Sequence, residues 1–211
     1  MISLEDIDFY FITDSNLSKN GIYSDVVNAI RAGCRIVQYR EKKKQTKAMI
    51  DEAKRIKQIC GNKALFLIND RVDVAFAAGS DGVHLGQDDM PYDFARKMLG
   101  NEKIIGLTVH NENEAISAQR TGFDYVGVAP IFNTDTKEDI GKPVGIDMIK
   151  SIRSEINLPI VAVGGIKKDD IISVIRAGAD SVVSIQPVVS SEDVCSEIMD
   201  YIRIIRECKI K

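Results

Sequence analysis

"IRAGCRIVQYR" spans residues 30–40. It packs a helix end, a glycine, a two-residue turn, an apolar run and a polar tip into one short stretch. Gly33 is the residue type that ends a helix in left-handed backbone. Ile36 and Val37 suit a strand. Gln38 and Arg40 alternate beyond them, so an extended chain would carry both on one side, with Lys42 next in the same series. The joint recurs as "AGSDGV" at 78–83, "TGFDYV" at 121–126 and "AGADSV" at 177–182. Four such joints imply four helix-to-strand connections of like geometry.

Working outward from them, eight runs read as strands: 9–13, 35–40, 64–69, 82–86, 104–109, 125–130, 160–164 and 181–185. Several are apolar nearly throughout, as in a parallel sheet covered on both faces. Amphipathic stretches such as "SDVVNAIRAG" and "TKAMIDEAKRIKQICG" separate them, and most end at glycine. Eight βα units in 211 residues predict an α/β fold, a compact (β/α)8 TIM barrel forming one domain over 1–211. An open doubly wound sheet is the competitor, but no Gly-x-Gly-x-x-Gly fingerprint follows the first strand.

Hydrophobic residues make up 45% and charged residues 28%, the balance of an ordinary globular domain. A net charge of -3 argues against a nucleic-acid partner, while a local basic pocket for a small anion stays compatible with it. Cys34, Cys60, Cys195 and Cys208 form no Cys-x-x-Cys pair or metal cluster and read as reduced thiols. The acidic opening "MISLEDIDFYFITD" is unlike a signal peptide, and no apolar run reaches transmembrane length. No membrane partner and a cytoplasmic location are therefore expected. The tail "IMDYIRIIREC" has the apolar spacing of a helix docked on the barrel, and the same face could serve a homo-oligomer.

In such a barrel the chemistry sits at the C-terminal ends of the strands. Gln38, Arg40 and Lys42 would suit a phosphate or pyrophosphate, Arg as a fork and Lys as a point charge. Asn69 and Asp70 close the third strand, where a helix N-cap would also want one of them. His84 lies in the fourth, followed by Asp88 and Asp89. Asp70 with Asp88 or Asp89 could share a hard cation such as Mg2+, typically held by one or two carboxylates plus substrate phosphates. The alternative is that the Asp pair caps the next helix. Thr108 and His110 alternate on the fifth strand; the histidine could be a base, a phosphate donor or a structural residue, and Asn111 or Asn113 could cap the following helix. The loop "IFNTDTKED" groups Thr134, Thr136 and Lys137. Gly164 and Gly165 after strand seven can bring backbone N–H groups close to an anion. Two anion sites emerge, one cationic with carboxylates, the other built of backbone N–H groups. No nucleophile or zinc cluster accompanies them, which favours electrostatic assistance to a leaving group over covalent catalysis.

The stretches "QYREK", "NDRVDVA", "DGVHLGQDD", "VGVAPIFNTDTK" and "VAVGGI" occur in order. Together they resemble the thiamine phosphate synthase family, also called thiamine-phosphate pyrophosphorylase. The resemblance runs from "YFITD" to strand eight. It implies the joining of 4-amino-5-hydroxymethyl-2-methylpyrimidine diphosphate to 4-methyl-5-(2-hydroxyethyl)thiazole phosphate, giving thiamine phosphate and pyrophosphate with Mg2+. On that resemblance Gln38, Arg40 and Lys42 contact the pyrimidine diphosphate, with Asn69 and His84 beside them. Asp70 and Asp89 hold the metal. Thr108 stands where the family commonly has serine, and Lys137 contacts the diphosphate. Thr134, Thr136 and Gly165 serve the thiazole phosphate, and His110 and Gln186 complete the binding set. Arg40, Lys42, Thr108 and Lys137 are the catalytic candidates. The family mechanism is dissociative: pyrophosphate leaves first and the thiazole nitrogen attacks the resulting methylene cation.

Two departures stand out. Ala129 replaces the family's usual glycine before Pro130. Strand eight reads "GADSVVSIQPV", so that Gln186 replaces a serine and Pro187, which has no N–H, follows it. Three rival readings are a thiazole tautomerase, a sugar-phosphate isomerase or epimerase, and a non-catalytic phosphate-ligand binder. The first would have little use for Arg40, Lys42, Asp70, Asp89 and Lys137. The second needs a proton-transfer pair for which His84 and Asp70 are only loose candidates. The third would bind without turnover.

Overall fold

The computed structural model describes Leu4, residues 7–134 and residues 141–209. The strands are β1 (Tyr10–Ile12), β2 (Ile36–Tyr39), β3 (Leu65–Asn69), β4 (Gly82–Leu85), β5 (Ile104–Val109), β6 (Tyr125–Val128), β7 (Ile160–Val163) and β8 (Ser181–Val183). They pair in sequence order, every ladder parallel. A Phe9–Val182 bridge brings β8 back beside β1, and the Val182 N–H donates to Asp8 O at 3.3 Å. The result is a nearly closed parallel barrel. All eight expected strands are present, each within two residues of its expected ends.

The outer layer holds α1 (Ile22–Arg31), α2 (Thr46–Cys60), α3 (Val72–Ala78), α4 (Tyr92–Leu99), α5 (Glu112–Thr121), α6 (Ile146–Glu155), α7 (Ile171–Arg176), the short α8 (Gln186–Val189) and α9 (Val194–Lys209). The tail docks as its spacing predicts. α9 buries Val194, Ile198, Tyr201, Ile202 and Ile205 and packs between α7 and α1.

The repeated joints are one structure used four times. Cys34, Ser80, Phe123 and Ala179 each donate a backbone N–H five residues back, to Ala29, Ala75, Ala118 and Val174. This closes the helix around a glycine of positive φ. Three joints then place an aspartate two residues after that glycine. Asp81, Asp124 and Asp180 accept the N–H of Phe66, Ile105 and Ile160 at 2.9, 2.8 and 2.8 Å. The same carboxylates pair with Lys57, Arg96 and Arg153 of α2, α4 and α6, the helices that lead into those neighbouring strands. Each aspartate thus ties a strand start to the neighbouring strand and to the helix layer. The "AGCRIV" joint has Arg35 at that place and lacks the tie.

Candidate active site

The strand ends gather the polar residues at one mouth of the barrel, around two adjoining cavities. The larger, about 500 Å3, is lined by Arg40, Lys42, Asn69, Asp70, His84 and Asp89, among others. The smaller, about 200 Å3, is lined by Thr134, Gly164, Gly165, Ile185, Gln186 and Pro187, among others. Thr108 and His110 line both. Residues of the two anion sites expected from the sequence therefore line adjoining cavities.

The expected convergence of Gln38, Arg40 and Lys42 on one point does not occur. β2 ends at Tyr39, so the alternation stops before Arg40. Gln38 is buried and points into the lumen, where its Nε2 donates to the Tyr10 hydroxyl at 2.8 Å. Arg40 turns to Asp14, its Nη1 donating to Oδ2 at 3.0 Å. Its Nε is buried and makes no hydrogen bond among the described residues. Lys42 reaches across to Asp70. Arg40 and Lys42 thus border one cavity with their charges set apart, each held by its own carboxylate.

Asp70 owes its position to unusual backbone. Among the described residues it is the one non-glycine with positive φ, 61°. The Arg71 N–H donates to Asn69 O at 2.7 Å, a three-residue γ-turn centred on Asp70. Aspartate tolerates this region better than most residues, and such strain gathers where a site needs it. The Asp70 N–H donates to His84 O at 2.8 Å, which pins the turn to β4. Neither Asn69 nor Asp70 caps α3, whose N-cap is Arg71 without a side-chain cap. The capping alternative for the Asp pair also fails, because the N-cap of α4 is Pro91. Asp88 is exposed, while Asp89 turns back so that its Oδ2 accepts the Gly86 N–H at 2.6 Å. Burial first, and then the nearby Asp70 charge, raise the Asp89 carboxyl above the usual range, against the Gly86 donor and Lys42. Two carboxylates facing one another beside a single lysine are a donor set that a hard dication would suit. No group of three or more His, Cys, Asp or Glu suited to a metal occurs among the described residues.

On β5, the Thr108 hydroxyl meets His84 Nε2 at 2.8 Å. His110 lies exposed at the rim with Nδ1 3.0 Å from Glu114 Oε2. Asn111 is the helix cap, accepting the Glu114 N–H. On the other side, Gly164 and Gly165 have φ of 103° and 65°. A Cβ on Gly164 would lie 2.8 Å from Pro130 Cα, and one on Gly165 would lie 2.4 Å from Asn133 O. Only glycine fits the backbone and the space. Neither glycine N–H has an acceptor among the described residues. Ala129 has no positive φ, so its exchange for glycine costs no backbone strain. At β8, Val188 and Val189 donate to Ile185 O and Pro187 has no N–H, while the Ile185 and Gln186 N–H groups have no acceptor among the described residues. Ser184 is buried and structural, donating to Ile166 O at 2.8 Å and lying 2.9 Å from the Tyr201 hydroxyl. Thr136 and Lys137 lie outside the described residues.

Asp14, Tyr10 and Tyr125 were not among the expected site residues. Asp14 follows the first strand in "FITD", and the strand-end rule that picks out Asp70 would have found it. Tyr10 and Tyr125 sit inside apolar runs, and nothing in their spacing separates them from ordinary core.

The family model for thiamine monophosphate synthase matches residues 9–188. A thiamine-phosphate synthase of Methanosarcina mazei is 58% identical over 98% of this chain and 86% of its own length. Its counterpart in Methanosarcina barkeri is 54% identical over 98% and 94%. A solved thiamine phosphate pyrophosphorylase from Pyrococcus furiosus superposes with a TM-score of 0.88 at 33% identity, covering 97% of this chain and 98% of that one. With its barrel and the two cavities at its mouth, the chain belongs to the thiamine monophosphate synthase family.

Proposed function

We infer that the protein is a thiamine-phosphate synthase. It joins 4-amino-5-hydroxymethyl-2-methylpyrimidine diphosphate to 4-methyl-5-(2-hydroxyethyl)thiazole phosphate, releasing pyrophosphate. The observation that carries the reading is the meeting of two unlike anion pockets at Thr108 and His110. One offers Arg40 and Lys42 with the Asp70–Asp89 pair. The other offers the N–H groups of Gly164 and Gly165, which have no acceptor among the described residues, with Thr134. A diphosphate fits the first and a monophosphate the second, which sets the two organic rings face to face between them.

In this arrangement Arg40 and Lys42 bind the departing diphosphate and stabilise its growing charge. Arg40 keeps one donor face on Asp14, so its guanidinium is oriented before substrate arrives. Thr108 adds a hydroxyl between the pockets, and Asn69 and His84 complete that wall, with Gln38 beneath them. Breaking the methylene carbon–oxygen bond leaves both electrons on the diphosphate. The thiazole nitrogen then supplies the pair for the new carbon–nitrogen bond, and no protein nucleophile takes part. Asp70 and Asp89 would hold Mg2+, which when bound neutralises diphosphate oxygens. Thr134, Gly165, His110 and Gln186 are proposed thiazole-side contacts. Thr136 and Lys137 join them on the family resemblance, Lys137 toward the diphosphate. The barrel serves as one catalytic domain. Cytoplasmic residence accompanies this reading, supported by four free cysteines and, among the described residues, by the lack of a helix long and apolar enough to cross a membrane.

The test is turnover of purified protein with both substrates and Mg2+, following both products. Thiamine phosphate and pyrophosphate in equal amounts are expected. Absence of both overturns the reading. Pyrophosphate alone would mean that water captures the cation and would place the defect on the Gln186 side.

A further inference from the structure

Tyr10 on β1 and Tyr125 on β6 are not strand neighbours, so their rings meet only across the lumen. They are 2% and 1% exposed, and their hydroxyls lie 2.9 Å apart. Buried hydroxyls need partners, and the available ones fix the order here. Gln38 Nε2 can only donate, so the Tyr10 oxygen accepts. The Tyr10 proton then has a single acceptor among the described residues, the Tyr125 oxygen. The Tyr125 proton in turn goes to His84 Nδ1 at 2.8 Å. Nδ1 is thereby an acceptor, and the ring proton sits on Nε2, which donates to Thr108 Oγ1. The Thr108 hydroxyl proton is left with no acceptor among the described residues, at the place where the two cavities meet.

We propose that Tyr10 and Tyr125 are positioning residues: with Gln38 they form a one-way hydrogen-bond chain that sets the His84 tautomer and turns the Thr108 hydroxyl outward as a donor to the diphosphate. Two glycines make room for the chain. A Cβ on Gly106 would fall 2.2 Å from the Tyr125 ring, and one on Gly127 would fall 3.1 Å from His84 Cε1. Burial raises both tyrosine hydroxyls above their ordinary range, so each keeps the proton it passes along the chain. The donor toward ligand is then fixed before binding, which avoids a reorientation during the reaction.

The inference rests on the synthase reading for the identity of the anion but not for the chain itself. The test therefore begins without substrate. The protein has two histidines, His84 and His110, so a long-range 15N–1H spectrum of the 15N-histidine-labelled full chain shows two ring systems. A His110→Gln variant assigns them. The expected His84 ring has Nε2 protonated and Nδ1 bare. Tyr10→Phe should loosen that state to a mixture of tautomers, because the Tyr125 hydroxyl can then accept from the ring as well as donate to it. Tyr125→Phe should lose it, and kcat/KM for the pyrimidine diphosphate should fall about tenfold with KM for the thiazole phosphate unchanged. A wild-type ring protonated on Nδ1, or on both nitrogens, overturns the chain. So does a Tyr125→Phe protein with unaltered tautomer. If Tyr125→Phe fails to fold, the wild-type spectrum alone decides. A protein with the expected tautomer but no turnover would refute the synthase reading and leave the chain standing.

Discussion

Replacing Gly165 by alanine should damage both stability and the thiazole-phosphate pocket, by an amount the geometry resolves into two parts. The backbone φ of 65° penalises any L side chain by about 1–2 kcal/mol. The new Cβ would also lie 2.4 Å from Asn133 O and 2.9 Å from Phe132 Cβ, where ordinary contact begins at 3.4 Å. The overlapped atoms include backbone of the loop that carries Thr134, so relief means moving the loop. Overpacking of this kind costs about 1–3 kcal/mol. The sum, roughly 2–5 kcal/mol, is a large part of the 5–15 kcal/mol typical of a domain but leaves it folded. Two controls separate the parts. Gly33 has φ of 94° with nothing within 4 Å of a Cβ, so Gly33→Ala should show the backbone part alone. Gly141 has neither a positive φ nor, among the described residues, a neighbour within 4 Å, so Gly141→Ala should stay within about 0.5 kcal/mol of wild type. Urea unfolding measures the stabilities, and initial rates give KM for each substrate. Gly165→Ala should raise KM for the thiazole phosphate at least tenfold with KM for the pyrimidine diphosphate little changed. If it is destabilised no more than Gly33→Ala, the loop yields freely and the steric argument is wrong. If both KM values rise together, the assignment of this pocket to one substrate is wrong.

Three other perturbations test separate parts of the structure. Asp25 is fully buried at the start of α1 with Oδ1 unpartnered, and burial raises its carboxyl above the usual range despite the Ser18 hydrogen bond. A raised folded value stabilises the fold below the unfolded carboxyl range and loses that contribution as pH rises through the folded value. Asp25→Asn should therefore gain stability relative to wild type on going from acid to neutral pH, and a difference independent of pH in urea unfolding would refute this. Ser184→Ala removes two buried hydrogen bonds and should cost about 1–3 kcal/mol while leaving both KM values within twofold, since the hydroxyl is spent on Ile166 and Tyr201. Asp89→Ala should raise the Mg2+ concentration for half-maximal rate by about tenfold or more, and an unchanged Mg2+ response would remove Asp89 from the metal set.

Much of this architecture is readable in the chain. The eight apolar runs become the eight strands because each is buried on both sides, and the glycine joints mark where helices stop. Arg40, Lys42, Asp70 and Asp89 could be nominated because barrel geometry sends strand ends to one mouth. Their pairing could not be read. Arg40 meets Asp14 from β1, and Lys42 meets Asp70 from β3, contacts set by how neighbouring strands are staggered. Gln38 was expected beside Arg40 because alternation was carried one residue past the end of β2. The Tyr10–Tyr125 contact was least visible, since it joins residues 115 positions apart through the lumen and exists only once the barrel has closed. Asn69 and Asp70 look like a helix cap in sequence, and only the γ-turn shows them serving another purpose.

The seam between β8 and β1 has a consequence for the order in which the protein is made. β1 leaves the ribosome before the other seven strands, whereas Ser181, whose hydroxyl donates to Asp8 O, comes with the last of them. Arg206 and Lys209, which pair with Asp8, come later still. Until β8 emerges, β1 has a partner on one side only and presents a bare edge on the other. An exposed parallel edge can recruit another nascent chain on the same message. β1 limits that exposure by being three residues long. Closure of the barrel therefore waits for β8 and α9, the last of its elements to be made.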